Sequence, residues 1–259
     1  MPTDPSAVPA NYLQDKVAVV TGGRGGIGRA ICERFVREGA TVYACDIAGS
    51  RSHGFGTDID LDVTSEDSVD ALFQLIERSH GQLDILVNAA GVEIEKTIED
   101  TSLTEWNHVM AVNVTGMFLT SRRAVALMRK AGAGSIINFG SYDGFIADPQ
   151  LAVYCASKGA VHALTRAMAC DHGPENIRVN AVCPGYVNTP MLQSFFGESG
   201  DIASLEKAVR DVHPIQRYGE PEDIANMVNW LAGGEARYAS GQLFIIDGGL
   251  SAQVQQMKL

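Results

Sequence analysis

Tyr154 and Lys158 stand four residues apart in LAVYCASKGAVHALTRAMA, a run whose small residues suit a tightly packed helix. That spacing puts both on one helix face, about 5–6 Å apart. A free phenol, with a pKa of about 10, is a poor base at neutral pH, but a neighbouring ammonium favours the phenolate. The pair can therefore move a proton to or from an alcohol or carbonyl oxygen; read alone, it can equally be two ordinary residues of a surface helix. Ser141 follows the apolar run SIINFG, at the carboxyl edge of the expected sheet, where its hydroxyl can bond the same oxygen. Asn113, a polar amide in VMAVNVTGMF, either bonds a neighbouring backbone group or holds a water linking Lys158 to solvent.

These four residues need a scaffold, and the chain supplies its rhythm. Short apolar runs at 17–21, 41–46, 83–88, 135–140, 177–183 and 242–247 alternate with helix-length segments near 27–38, 65–80, 103–130, 152–172 and 221–232. The runs barely alternate between apolar and polar, as strands buried on both faces of a parallel sheet do. Strand–helix–strand repetition predicts a doubly wound α/β domain with right-handed crossovers. Only 15 residues separate Asp46 from Asp62, so a glycine-rich loop or single helical turn is expected there. One domain is expected over 15–259, behind a flexible tail at 1–14. An irregular stretch at 186–200 and a helix at 201–212 form the expected substrate lid, 186–213.

The first strand, KVAVVT, runs into GGRGGIG and then a helix. Gly22 allows the tight turn; Gly26 and Gly28 let the backbone approach a pyrophosphate and let helix and sheet pack closely. Arg24 and Ile27 lie in the same turn. The helix N-terminus offers unpaired N–H groups and partial positive charge to phosphates. Asp46, 20 residues past Gly26, ends the second strand and can accept hydrogen bonds from an adenosine ribose 2′-hydroxyl. The same carboxylate repels a 2′-phosphate, and neither Gly25 nor Ile47 supplies a compensating cation. Arg24 and Arg51 remain as phosphate contacts. NAD is expected over NADP.

The chain has 259 residues, 46% hydrophobic and 20% charged, which excludes a disordered protein and suffices for a core. A net charge of −11 disfavours nucleic acid and anionic membranes as partners. Five scattered cysteines without framework spacing read as reduced cytosolic thiols. No apolar run of membrane-spanning length and no secretory signal are evident, so a cytoplasmic protein is expected. No metal-ligand spacing is present, and none is needed where hydroxyl donors polarise the carbonyl.

Taken in order, T-G-G-R-G-G-I-G (21–28), N-A-A-G (88–91), Asn113, Ser141, Y-C-A-S-K (154–158) and P-G-Y-V-N-T (184–189) resemble the short-chain dehydrogenase/reductase family. The likeness spans residues 15–249. It implies a Rossmann fold with about seven parallel strands flanked by helices, and a catalytic tetrad of Asn113, Ser141, Tyr154 and Lys158. It also implies that Lys158 touches the nicotinamide ribose and that Asp62 and Val63 flank the adenine. Asn88, Ala89, Ala90 and Gly91 would support the cofactor after the fourth strand. Pro184, Gly185, Val187 and Thr189 would pack beside the nicotinamide. Where the family more often has N-N-A-G, this chain has N-A-A-G. Family members usually pair the 103–130 and 152–172 helices across two-fold axes, so a homotetramer is expected.

The expected activity is reversible hydride transfer between NAD and a secondary alcohol or its ketone. Tyr186, Met191, Leu192, Phe195 and Phe196 can enclose an apolar ring, while Glu93, Asp143 and Gln150 can grip extra hydroxyls; a cyclic or polyhydroxylated alcohol fits both. An NADP-dependent ketoreductase and a non-catalytic NAD-binding regulator are the alternatives. Arg217 is expected to be buried or paired at the turn before the 221–232 helix. His80, His108, His162, His172 and His213 share no constellation and read as surface or capping residues.

Overall fold

A computed structural model describes residues 12–197 and 202–253. Among them, seven parallel strands form one sheet in the order β3-β2-β1-β4-β5-β6-β7. They are β1 (Val17–Thr21), β2 (Thr41–Asp46), β3 (Thr57–Asp60), β4 (Ile85–Asn88), β5 (Gly134–Phe139), β6 (Ile177–Pro184) and β7 (Leu243–Ile246). The order reverses between β1 and β4, and that crevice is where open α/β sheets bind ligands. Alternate residues of β1 serve opposite layers. Val17 and Val19 pack with α2 (Glu66–His80) and α4 (Met117–Ala131), whereas Ala18 and Val20 pack with α1 (Gly26–Arg37) and α8 (Pro221–Ala232). This period-two division explains the near-continuous apolar strands. The architecture is the doubly wound Rossmann type.

Local signals set the helix ends. Ser65 caps α2 through the Ser68 amide, and Gly81 closes it with φ 70°. A capping box of Ser102 and Glu105 starts α3 (Leu103–Met110). Glu220 and Asp223 do the same for α8 behind Pro221, and Arg217 pairs with Asp223 at 2.6 Å, as expected. In contrast, α1 begins at Gly25 with no side-chain cap and no acid in its first turn.

Four sequence expectations change. The segment after Asp46 contains β3, an edge strand pairing with β2. Its TDID sequence has a single apolar residue because an edge strand is half solvated, so the hydrophobic signal is weak. The 103–130 segment is not one α-helix: α3 and α4 are joined by a π-helical segment, Ala111–Gly116, that carries Asn113. The ordered fold starts before residue 15, since Leu13 is buried and its amide donates to the Glu38 carbonyl; residues 1–11 of the expected tail lie outside the described residues. The segment expected to form a lid contains α6 (Pro190–Gly197) as well as α7 (Ile202–Asp211), while 198–201 lie outside the described residues.

Candidate active site

Ser141 leaves the carboxyl end of β5, and Tyr154 and Lys158 lie on α5 (Ala152–His172) beneath it. Lys158 is buried, its Nζ donating to the Phe139 carbonyl at 2.9 Å and lying 5.3 Å from the centre of the Tyr154 ring. Asn113 sits in the π-helical segment, a distortion common at functional sites because it redirects one side chain. Its Oδ1 accepts the Val92 amide at 2.9 Å; its Nδ2 donates to the Val92 carbonyl at 2.9 Å and to Ser157 Oγ at 3.0 Å. The backbone bond that the sequence allowed for Asn113 is present. Ser141 Oγ accepts from the Asp143 amide at 3.2 Å and donates to Asp143 Oδ2 at 3.1 Å.

Ser141, Tyr154 and Lys158 open into a cavity of about 410 Å³, whose lining does not include Asn113. Glu93, Glu95, Asp143 and Asp148 line it, and among the described residues Lys158 is the one basic side chain in its wall. Burial pushes the Glu93 carboxyl up to about 7, with Glu95 and Asp143 adding to the rise. Burial likewise raises Asp143 to about 6 and lowers Lys158 to about 8. Asp148 accepts hydrogen bonds from the Tyr142 hydroxyl and, at 2.8 Å, from that of Tyr186. Tyr154 departs from the simple expectation. Burial raises its pKa, and Glu93 and Asp143 raise it further, while a hydrogen bond with Ser141 opposes them. The ammonium that should lower it donates instead to the Phe139 carbonyl, so burial dominates.

The residues around the glycine turn fit a dinucleotide. A Cβ on Gly28 would collide with the Gly22 carbonyl, and one on Gly22 (φ 66°) would lie 2.9 Å from the Ala90 amide nitrogen. The turn is thus pressed against the segment after β4, leaving the uncapped α1 amides facing outward to meet phosphate oxygens. Asp46 Oδ2 accepts the Arg24 amide at 3.1 Å, and its Oδ1 accepts from the Ile47 amide and Ser50. The Arg24 guanidinium is nearly buried and pairs with Asp60 at 2.8 Å and Asp58 at 3.3 Å. Ile27, Ala89, Gly91, Pro184, Gly185, Val187 and Thr189 line the cavity. Thr189 leans over the turn, its Cγ2 3.1 Å from where a Gly26 Cβ would be. Asn88 does not reach this surface with its side chain, which bonds Ser121, Asn138 and Thr120 in the core. Asp62 is exposed and bonded to Thr64, whereas Val63 is buried against Gly116.

Met191 and Leu192 of α6 line the cavity, as do Tyr186 and Gln150; the side chains of Phe195 and Phe196 lie outside the described residues. Sequence reasoning missed Tyr142, Glu95 and Asp148, which no motif marks. It also misplaced two histidines: His162 and His213 are buried. His162 follows Lys158 by four residues, so helical spacing alone could have put it on the same inward face. Among the described residues no helix is long and apolar enough to cross a membrane.

Comparison with known proteins gives the lineage. A family model described as enoyl-(acyl carrier protein) reductase matches residues 22–251. The chain is 40% identical to a 2-(S)-hydroxypropyl-CoM dehydrogenase of Xanthobacter autotrophicus, covering 94% of this chain and 99% of that one. It is 38% identical to an NADP-dependent (R)-specific alcohol dehydrogenase of Lentilactobacillus kefiri, covering 93% and 98%. The ligand-free aldohexose dehydrogenase of Thermoplasma acidophilum superposes with a TM-score of 0.92 at 35% identity, covering 96% and 99%. With its strand order, its glycine turn and its serine, tyrosine and lysine around one cavity, the chain belongs to the short-chain dehydrogenase/reductase family, which works with a nicotinamide dinucleotide.

Proposed function

We propose that this protein is an NAD-dependent dehydrogenase of secondary alcohols, acting reversibly through Asn113, Ser141, Tyr154 and Lys158. The observation that carries the reading is the opening of Ser141, Tyr154 and Lys158 into one cavity that Ile27 of the glycine turn also lines. A bound nicotinamide dinucleotide supplies the hydride acceptor for oxidation and the hydride donor for reduction. Tyr154 takes the alcohol proton in oxidation and returns it in reduction. Ser141 bonds the reacting oxygen and favours the phenolate through its hydrogen bond with Tyr154, while Lys158, cationic below about pH 8, can steady the phenolate once its ammonium leaves the Phe139 carbonyl. Asn113 ties the segment after β4 to α5 through Val92 and Ser157, holding the tyrosine helix in register with the cavity.

The cofactor preference rests on charge. Asp46 is held at the mouth of the glycine turn, and Arg24, the nearest cation, is neutralised by Asp58 and Asp60. A 2′-phosphate would meet three carboxylates there. The substrate preference rests on the same argument: four carboxylates in the cavity disfavour an anion and favour an uncharged alcohol with further hydroxyls. Met191 and Leu192 cover a ring or chain. The L. kefiri relative is named as NADP-dependent, so the test runs both cofactors side by side over cyclic alcohols, vicinal diols and hydroxy acids. Reduction of NAD by neutral alcohols supports the reading; a preference for NADP or for hydroxy acids refutes the corresponding half.

We assign a homotetramer, with subunit contacts on the face where Leu103 of α3 and Phe118 of α4 stand exposed. Light scattering at micromolar concentration should give four times the chain mass, and a monomer would remove the assignment.

A further inference from the structure

His162 lies one helical turn beyond Lys158 and is 2% exposed. Its Nε2 is 3.2 Å from Sγ of Cys183 on β6, itself fully buried, and its ring lies 4.4 Å from that of Phe145, tilted 40° to it. The segment Gly140–Gly144, which carries Ser141, is shaped around this ring. A Cβ on Gly140 would come within 2.5 Å of Nε2, and one on Gly144 would overlap the ring on its Cε1 and Nδ1 side. Both glycines are therefore spaces that His162 fills.

Polar groups match the steric fit. Cys183 Sγ and His162 Nε2 meet at 3.2 Å, and the backbone of Ser141 and Gly144 lies beside the pair. Burial, with Lys158 and Arg166 nearby, holds His162 neutral down to about pH 4, and burial holds the Cys183 thiol protonated up to about 12. A neutral imidazole has one donor and one acceptor. With the thiol proton donated to Nε2 across the 3.2 Å contact, the imidazole proton sits on Nδ1, on the side that faces Gly144.

We propose that His162 and Cys183 are a positioning pair for Ser141, gripping the backbone on both sides of it and so fixing where its hydroxyl points in the cavity. The pair touches no reacting atom; it acts through the serine. The inference rests on the role proposed above for Ser141, so its test must separate the two. Misplacing a reacting group by about 1 Å can cost on the order of a hundredfold in rate, so loss of this grip should be visible in kcat.

The experiment is a double-mutant cycle of His162→Asn and Ser141→Ala, using cyclopentanol, 2-butanol and 2,3-butanediol with NAD as probes, joined to amide hydrogen exchange of the peptide spanning 139–146. His162→Asn should lower kcat about tenfold or more with KM for NAD unchanged, and should cost little further in the Ser141→Ala background. Cys183→Ser, which keeps a donor and an acceptor, should retain kcat better than Cys183→Ala. Exchange in 139–146 should quicken about tenfold in His162→Asn while peptides of β1 and α1 stay unchanged. Additive losses in the cycle, or exchange that is unaltered or quickened throughout the chain, would overturn the proposal. If Ser141→Ala keeps full activity, or no probe is turned over, the role of Ser141 falls on its own, and the exchange data still decide whether His162 holds the segment.

Discussion

Asn113 and Val92 form a closed pair: the asparagine side chain accepts the valine amide and donates to the valine carbonyl, both at 2.9 Å. A side-chain amide here does what a neighbouring strand would do. It fixes the backbone that leads into Glu93, and the third bond, to Ser157, ties that backbone to the helix of Tyr154 and Lys158.

Asn113→Ala should therefore damage both stability and rate. Leaving buried partners of Val92 and Ser157 unmatched costs about 1–3 kcal/mol, so thermal unfolding should begin several degrees lower. Turnover should fall about tenfold, since the loop and helix lose their shared anchor. Calorimetry and steady-state kinetics on one preparation check both. A variant with wild-type stability would show that the pair carries no load.

Glu93 makes stability depend on pH. Its folded pKa of about 7 lies above the ordinary carboxyl value of 4.5, so the folded state binds more protons than the unfolded chain between those limits. Stability from this group is greatest at low pH and falls as pH rises toward and through 7. The shift corresponds to about 2–3 kcal/mol after allowance for solvent screening. Glu93→Gln should raise the melting temperature by several degrees at pH 8, with the gain shrinking toward zero near pH 4.5. A gain that is equal at both pH values would contradict the assignment.

Asp46 is expected to decide between the two dinucleotides. Asp46→Ala removes the carboxylate that accepts the Arg24 amide at the glycine turn, although Arg24 stays paired with Asp58 and Asp60. The NAD-to-NADP ratio of kcat/KM should fall by at least tenfold, through loss with NAD more than gain with NADP. Parallel titrations of the two cofactors measure it, and an unchanged ratio would mean that another group does the selecting.

Much of this was legible in the chain itself, for physical reasons. Apolar runs such as VAVVT are readable because both faces of a central strand are buried, and Tyr154, Lys158 and the glycine turn are readable because their chemistry demands fixed spacing. Thr57–Asp60 was hidden because an edge strand needs little apolar surface. The π-helical segment around Asn113 was hidden because its sequence is as helical as its neighbours. His162 was misjudged as a surface residue because its partners, Cys183 and the backbone of Ser141, are distant in sequence and meet only when β5, β6 and α5 pack. The acidity of Tyr154 needed the positions of Glu93 and Asp143, which no local pattern reveals.

The most direct measurement compares the wild type with Tyr154→Phe, which keeps the ring over Lys158 and removes only the hydroxyl. NADH formation is followed by absorbance over the panel of secondary alcohols, and NAD affinity is followed by calorimetry. Proton transfer by the phenol predicts a loss of about 10²–10⁴ in kcat, with NAD binding intact. Turnover within twofold of wild type would contradict it and move the proton chemistry to another group.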